Sequence, residues 1–104
     1  MQNVAIYHSD QSARKELCEF FYNKGYSPYF AQTQSELLSL LDSKELSKTF
    51  MYVRNLSDLR FLQLVRSSFA EVEINLIIPP SLREIIELLQ NSDFKILNEV
   101  TQIV

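Results

Sequence analysis

The chain has little of several residue types on which common activities depend. Its 104 residues include one glycine, Gly25, and one cysteine, Cys18. A single glycine cannot form the glycine-rich loop that holds phosphates in dinucleotide-binding and nucleoside-triphosphatase folds. A single cysteine excludes an internal disulfide and cannot build a metal site alone. Cys18 lies in an apolar helical pattern, so we expect a buried structural thiol.

Long apolar runs and clusters of positive charge are lacking as well. No apolar run approaches the ~20 residues that a membrane-spanning helix needs, and the first residues do not resemble a secretory signal, so we expect a cytosolic protein. The chain has 10 Lys and Arg against 13 Asp and Glu, which gives a net charge of −3. Because nucleic-acid binding depends on clustered cations, we expect no direct contact with nucleic acid through this segment.

What the chain does contain is a regular alternation of apolar runs and helical patterns. Thr33 to Glu36 and Ser81 to Glu84 fit capping boxes, Ser9 or Asp10 can cap the first helix, and Ser57 or Asp58 can cap the third. Gly25 is expected to adopt a left-handed conformation past the end of the first helix. Strands are predicted at 3–7, 26–31, 49–53, 74–78 and 94–97, and helices between them. Such alternation predicts a parallel sheet between helix layers.

We predict one domain over residues 1–104, in which the last helix is short or missing. Five strands with four helices and a stop at Val104 indicate that a final helix belongs to a longer chain or has been lost. The apolar face left uncovered would need a partner.

Several segments together are typical of one protein family. They are Asp10-Gln11-Ser12-Ala13-Arg14-Lys15-Glu16-Leu17, Gly25-Tyr26, Leu37-Leu38-Ser39-Leu40-Leu41, Leu56-Ser57-Asp58 and Ile85-Ile86-Glu87-Leu88-Leu89-Gln90-Asn91. Over nearly its whole length the chain thereby resembles the CheY-like receiver domain of bacterial two-component response regulators. The resemblance implies a flavodoxin-like fold, a doubly wound parallel sheet with strand order 2-1-3-4-5.

The residues on which receiver chemistry depends are replaced. In a receiver, an acidic pair after the first strand holds Mg²⁺, and an aspartate after the third accepts the phosphoryl group. A hydroxyl after the fourth strand and a lysine after the fifth contact the phosphate. Carried over by position, these roles fall on His8 and Ser9, on Val53, on Ile78-Pro79 with Ser81 as the nearest hydroxyl, and on Glu99.

These replacements predict a degenerate site that uses no metal and no cofactor. Mg²⁺ prefers several oxygen ligands, and Asp10 is the one charged oxygen ligand left. Val53 has no nucleophile, and Glu99 would repel a phosphate. We therefore expect that phosphorylation of the usual kind is lost.

His8, the one histidine, admits three interpretations. It is a pH sensor, the partner of Glu99 in an ion pair, or a substitution tolerated once the acidic site was lost. Tyr7 and Tyr52 are predicted to be packing residues with hydrogen-bonded hydroxyls. Four further aromatic residues either fill the core or form an interaction surface: Tyr22, Tyr26, Tyr29 and Phe30.

The resemblance implies a regulatory module that acts through a protein partner or as a homodimer, at the amino-terminal end of a transcriptional regulator. A small-molecule sensor that uses the vacated pocket, lined by His8, Ser9, Asp10 and Glu99, is the alternative. An enzyme is the least expected class, because no nucleophile and base are suitably spaced. The candidate interaction face is the fourth helix and fifth strand, with Arg83, Glu84, Glu87 and Lys95; a solvated charged surface is the other interpretation of these four.

Overall fold

The computed structural model describes residues 2–78 and the backbone of residues 95–97. Strands and helices alternate along this part of the chain, as the apolar pattern predicts. The elements are β1 (Gln2–Tyr7), a 3₁₀ turn (Gln11–Ala13), α1 (Arg14–Asn23), β2 (Tyr26–Ala31), α2 (Gln34–Ser43), β3 (Lys48–Tyr52), α3 (Leu56–Ser68), β4 (Glu73–Ile77) and β5 (Lys95–Leu97).

The strands form a parallel sheet in which β1 lies between β2 and β3, and β4 lies beyond β3. Ile6 of β1 is opposite Phe30 of β2 and Phe50 of β3. The predicted α/β class and the parallel sheet are confirmed, and the first four strands have the predicted order 2-1-3-4. The backbone of β5 pairs in parallel with β4.

Side chains that alternate along the strands build a core on each face of the sheet. On one face, Tyr7, Met51 and Val53 pack with Leu37 of α2 and Leu62 of α3. On the opposite face, Val4, Ile6, Phe50 and Ile77 pack with Leu17 and Phe21 of α1. The loops that follow β1 and β3 therefore extend from strands whose packing is fixed on both sides.

Side-chain oxygens cap the 3₁₀ turn before α1 and the start of α2. Asp10 accepts from the Ser12 amide at 3.0 Å and caps the 3₁₀ turn, whereas α1 itself begins after Ala13 without a side-chain cap, so the predicted cap lies one turn ahead of the first helix. Thr33 accepts from the Glu36 amide at 3.1 Å, as predicted. In a capping box the Glu36 carboxylate would accept from the amide of the cap residue, Thr33. Here it accepts instead from the Gln32 amide, at 3.3 Å.

The predicted cap of the third helix is wrong. Asn55, and neither Ser57 nor Asp58, is the capping residue, because α3 begins at Leu56. The Asn55 side chain accepts from the Asp58 amide at 3.0 Å.

The end of α1 has the left-handed residue that the sequence predicts. Gly25 has a φ of 91°, and its amide donates to the Tyr22 carbonyl at 3.0 Å. A Cβ at this position would meet nothing within 4 Å, so the backbone conformation, and not a shortage of space, favours glycine here.

The predictions for Cys18 and the aromatic residues have mixed outcomes. Cys18 is half-buried, so the prediction of a buried thiol is wrong, although burial raises its pKa and keeps it protonated at neutral pH. Tyr26 is a core residue, whereas Tyr22 is 60% exposed. Tyr29 and Phe30 are half-buried, with Lys44 and Arg14 over their rings at 5.2 and 5.9 Å.

Some predicted elements lie outside the described residues. They are the fourth helix, its capping box at Ser81, and the last helix. Among the residues that the structure does describe, no helix is both long enough and apolar enough to cross a membrane.

Candidate functional site at the carboxyl edge of the sheet

The loops after β1 and β3 meet at the carboxyl edge of the sheet. β1 and β3 are parallel neighbours, with Tyr7 opposite Met51, so both chains leave the sheet at the same edge. The strand order reverses between these two strands, and ligands of open α/β sheets bind in the crevice at such a reversal. We refer to residues 8–10 and 53–55 together as the edge crevice.

Val53, at the position of the phosphoryl acceptor in the resemblance, is a core residue. Its side chain is 0% exposed and belongs to the core on the α2 and α3 face. Its amide donates to the Ile77 carbonyl at 3.0 Å, which extends the pairing of β3 with β4. This position has neither a nucleophilic atom nor a surface that a donor molecule can reach.

Asp58 is the carboxylate that lies next to this buried position. It is 2% exposed, and both of its oxygens accept hydrogen bonds within the fold. Oδ1 accepts from the Tyr7 hydroxyl at 3.0 Å, and Oδ2 accepts from the Arg54 amide at 2.9 Å. A buried carboxylate needs such donors, so Asp58 serves here to hold the β3–α3 loop against β1.

Tyr7 is the other half of this buried pair. Burial first, and then its hydrogen bond to Asp58, raise the pKa of Tyr7 to about 12, while Gln34 acts in the opposite direction. The hydroxyl therefore stays protonated and donates. Gln34 also approaches Ser57, with Nε2 and Oγ at 3.4 Å, so the network joins β1 to the first turns of α2 and α3. The predicted bonded hydroxyl of Tyr7 is confirmed.

The corresponding prediction for Tyr52 is wrong. Its buried hydroxyl has no hydrogen-bond partner among the described residues. Burial raises the pKa of Tyr52 to about 12 as well, with no partner contributing. Its ring contacts the His8 ring, with centroids 4.8 Å apart.

His8 is held by its own loop. Its Nδ1 accepts from the Asp10 amide at 2.9 Å, which places the proton of the neutral ring on Nε2. Burial, and then the charge of Arg54, lower the pKa of His8 below its ordinary value, so the ring is neutral at pH 7. Ser81 and the predicted partner Glu99 lie outside the described residues, so the His8–Glu99 pair stays a prediction.

Asp10 is occupied as the cap of the 3₁₀ turn. Its Oδ1 accepts from the Ser12 amide at 3.0 Å and from the Ser12 hydroxyl at 2.8 Å. These two bonds, followed by a smaller effect of Arg54, lower the pKa of Asp10, so the carboxylate is ionised at neutral pH.

Arg54 connects the two loops of the edge crevice. Its side chain is exposed, and Nη1 lies 3.4 Å from Oγ of Ser9, across 45 residues of sequence. We assigned no role to Arg54 from the sequence. Its position directly after Val53, at the end of a central strand, was the signal that could have placed it here.

The edge crevice does not fit the Mg²⁺ ion that the resemblance implies. Within residues 2–78, no group of three or more His, Cys, Asp or Glu residues could hold a metal ion. Nδ1 of His8, Oδ1 of Asp10 and both oxygens of Asp58 already accept hydrogen bonds from the fold.

An open cavity of about 550 Å³ lies along α1 and the preceding turn. It is lined by Gln11, Ser12, Arg14, Lys15, Cys18 and Glu19. This lining includes none of His8, Ser9 and Asp10.

No protein-family model matches the chain, and no curated protein sequence matches it. Solved structures do. Response regulator TrrA from Thermotoga maritima, in complex with Mg²⁺-BeF, aligns with a TM-score of 0.77 over 96% of this chain and 89% of its own, at 16% identity. A receiver domain protein from Clostridium thermocellum aligns with a TM-score of 0.81 over 93% and 81%, at 7% identity.

The chain has the receiver-domain fold. A structure of TrrA with histidine kinase ThkA also matches, with a TM-score of 0.67 and 18% identity over 75% of this chain and 69% of that one. Identities this low establish the fold alone. In this receiver fold, the edge crevice contains His8, Ser9 and Asp10 after β1, and Val53, Arg54 and Asn55 after β3.

Proposed function

We propose that this receiver-fold chain is a phosphorylation-independent regulatory module that acts through protein–protein interaction or homodimerisation in signal transduction. The observation that supports it is Val53, fully buried at the position where the resemblance places the phosphoryl acceptor. An aliphatic side chain within the core cannot form an acyl phosphate.

Asp58 does not take over the missing role. Its carboxylate is 2% exposed, and both oxygens are occupied by the Tyr7 hydroxyl and the Arg54 amide. Phosphorylation at Asp58 would require that a buried hydrogen-bonded pair separate first. This supports a module in which the acceptor is lost and not merely moved.

Without phosphorylation, partner binding has to set the conformation. A partner shifts such an equilibrium only through a difference in its affinity for the two states. We propose that the fourth helix and the fifth strand of a five-stranded sheet present the interaction face, with Arg83, Glu84, Glu87 and Lys95. These residues lie outside the described part, except for the backbone of Lys95.

The remaining parts of the proposal concern context. We propose that the domain is the amino-terminal part of a transcriptional regulator in the cytosol, that it has no catalytic activity, and that it makes no direct contact with nucleic acid. A protein partner is consistent with the complex of TrrA and histidine kinase ThkA, a structure with the same fold.

Beryllofluoride with and without Mg²⁺ tests the loss of phosphorylation. We expect no Mg²⁺-dependent change in the amide NMR spectrum at residues 8–10 and 53–56. TrrA, whose structure contains Mg²⁺-BeF, serves as the positive control. Mg²⁺-dependent shifts confined to the edge crevice would contradict the proposal.

Sedimentation equilibrium without a phosphoryl donor tests the mode of action. A dimer of micromolar or tighter affinity would identify homodimerisation, and charge reversal at Arg83 or Glu87 should then weaken it. A monomer over the whole concentration range would rule out homodimerisation and leave a different protein as the partner.

A further inference from the structure

Most acceptor atoms in and beside the edge crevice already accept hydrogen bonds from the fold itself. Nδ1 of His8 accepts from the Asp10 amide, and Oδ1 of Asp10 accepts twice from Ser12. Asp58 accepts from the Tyr7 hydroxyl and the Arg54 amide. A cation that approaches this edge therefore finds most of its potential oxygen and nitrogen ligands already engaged.

The donors of the same crevice are largely free. A guanidinium has five N–H groups, and within residues 2–78 that of Arg54 makes one hydrogen bond, to Ser9. The neutral His8 ring keeps a proton on Nε2, for which the same residues provide no acceptor. The Ser9 hydroxyl accepts from Arg54 and retains its own proton to donate. The crevice thus has an excess of donors and a fixed positive charge.

We propose that the edge crevice binds a small oxyanion directly, without a metal ion, with the Arg54 guanidinium as the main contact and the Ser9 hydroxyl and the His8 Nε2–H as further donors. The inference rests on the proposed loss of phosphorylation at the same edge. A planar guanidinium matches the paired oxygens of a phosphate or carboxylate group, which makes arginine well suited to this contact.

The surrounding charges permit such a ligand. Asp10, the exposed carboxylate of the crevice, is held by its two bonds from Ser12, and the charge of Arg54 affects its pKa less than those bonds do. Asp10 is fully exposed, and its repulsion of an anion is screened by water and salt. Among residues 2–78, the other carboxylate at this edge is Asp58, which is buried and compensated by two donors. Glu99, predicted at the same edge, lies outside the described residues.

The test is an NMR titration of the whole chain with inorganic phosphate at constant pH and ionic strength, with chloride as the balancing anion. We expect saturable shifts of the Ser9 and Arg54 amides. Arg54→Gln should weaken binding at least tenfold, and its fold should be intact because the Arg54 backbone amide still donates to Asp58.

Arg60→Gln is the matched control. Arg60 is an exposed arginine of α3, and its replacement removes the same charge without touching the crevice. This variant should bind phosphate like the unmodified chain. Asp10→Asn keeps a capping oxygen and removes the like charge, so it should bind phosphate about two- to threefold more tightly.

The source of the oxyanion is decided by a second ligand, N-acetyl-phosphoserine amide. Tighter binding of this compound than of phosphate indicates a phosphorylated group on a partner chain, and equal or weaker binding indicates a free anion. Either result supports the site, provided that Arg54→Gln weakens the binding of the ligand at least tenfold.

Three results would overturn the inference: no saturable shift at tens of millimolar phosphate, equal losses in Arg54→Gln and Arg60→Gln, or binding that requires Mg²⁺. These results are distinct from a failure of the proposed function. If beryllofluoride causes Mg²⁺-dependent shifts and phosphate still binds, only the proposed function is contradicted. If phosphate does not bind and beryllofluoride has no effect, only the oxyanion site is contradicted.

Discussion

Two groups of polar residues lie side by side at the carboxyl edge of the sheet, and they differ in what their hydrogen bonds achieve. Tyr7 and Asp58 face the α2 and α3 side, are almost fully buried, and bond to each other and to the Arg54 amide. His8 is half-buried, the Arg54 side chain is exposed, and among residues 2–78 both keep N–H groups without an acceptor. Tyr7 ends β1 and His8 follows it, so two consecutive residues have different roles: the first holds the β3–α3 loop in place, and the second lies at the surface of the crevice.

The largest expected effect comes from breaking the buried group. Asp58→Ala leaves the Tyr7 hydroxyl and the Arg54 amide without acceptors, and each unsatisfied buried donor costs about 1–3 kcal/mol of stability. We expect the free energy of unfolding to fall by about 3 kcal/mol, measured by urea denaturation. Asp42→Ala, at an exposed aspartate of α2, is the control and should change it by less than about 0.5 kcal/mol. Similar values for both variants would show that the Asp58 bonds contribute little.

A pair of tyrosine variants sharpens the comparison. Tyr7→Phe removes a hydroxyl that has a partner and should lower the free energy of unfolding by about 1–2 kcal/mol. Tyr52→Phe removes a hydroxyl without a partner among the described residues, and should leave stability unchanged or raise it by up to about 1 kcal/mol. Changes of the same sign and size would contradict the different bonding of the two hydroxyls.

The same pair predicts a dependence on alkaline pH. The pKa of Tyr7 is raised from 10.0 to about 12 in the folded protein, so folding favours the protonated form. The stability that this shift contributes is complete below pH 10.0 and is lost as the pH rises from there towards about 12. Tyr7→Phe should reduce that loss, and Tyr52, with a similar pKa, accounts for part of what remains. Urea denaturation at a series of alkaline pH values measures the difference.

The smallest expected effect on stability comes from the exposed group. Arg54→Gln should change the free energy of unfolding by less than about 0.5 kcal/mol, because exposed polar contacts contribute little. It should nevertheless raise the pKa of His8, since the charge of Arg54 helps to lower it. An NMR pH titration of the His8 ring measures this shift. An unchanged pKa would show that the Arg54 side chain lies elsewhere in solution.

Local sequence patterns predicted much of the fold. The capping residues Asp10 and Thr33 and the left-handed Gly25 each depend on neighbours within a few positions. The parallel strand order followed from the alternation of elements and from the resemblance. The α3 cap was missed because Asn55, Ser57 and Asp58 are all good capping residues, and propensity alone does not choose among near neighbours.

The candidate site was predicted less well because its contacts are distant in sequence. The edge location of His8, Ser9 and Asp10 and the position of Val53 at the end of β3 could be inferred from strand ends. The Tyr7–Asp58 bond spans 51 residues and the Arg54–Ser9 bond spans 45, and no pattern within one strand or helix encodes them. The Tyr52 hydroxyl was wrongly expected to be bonded because residue type specifies the need for a partner and not its presence.

The bond between Asp58 and the Arg54 amide also has an entropic consequence. It fixes the backbone from which the guanidinium extends, so a ligand of Arg54 does not have to order the loop at about 1–2 kcal/mol per residue. Only the side-chain torsions of Arg54 remain to be restricted on binding. Asp58 thereby preorganises the crevice and increases affinity for a ligand that it never contacts.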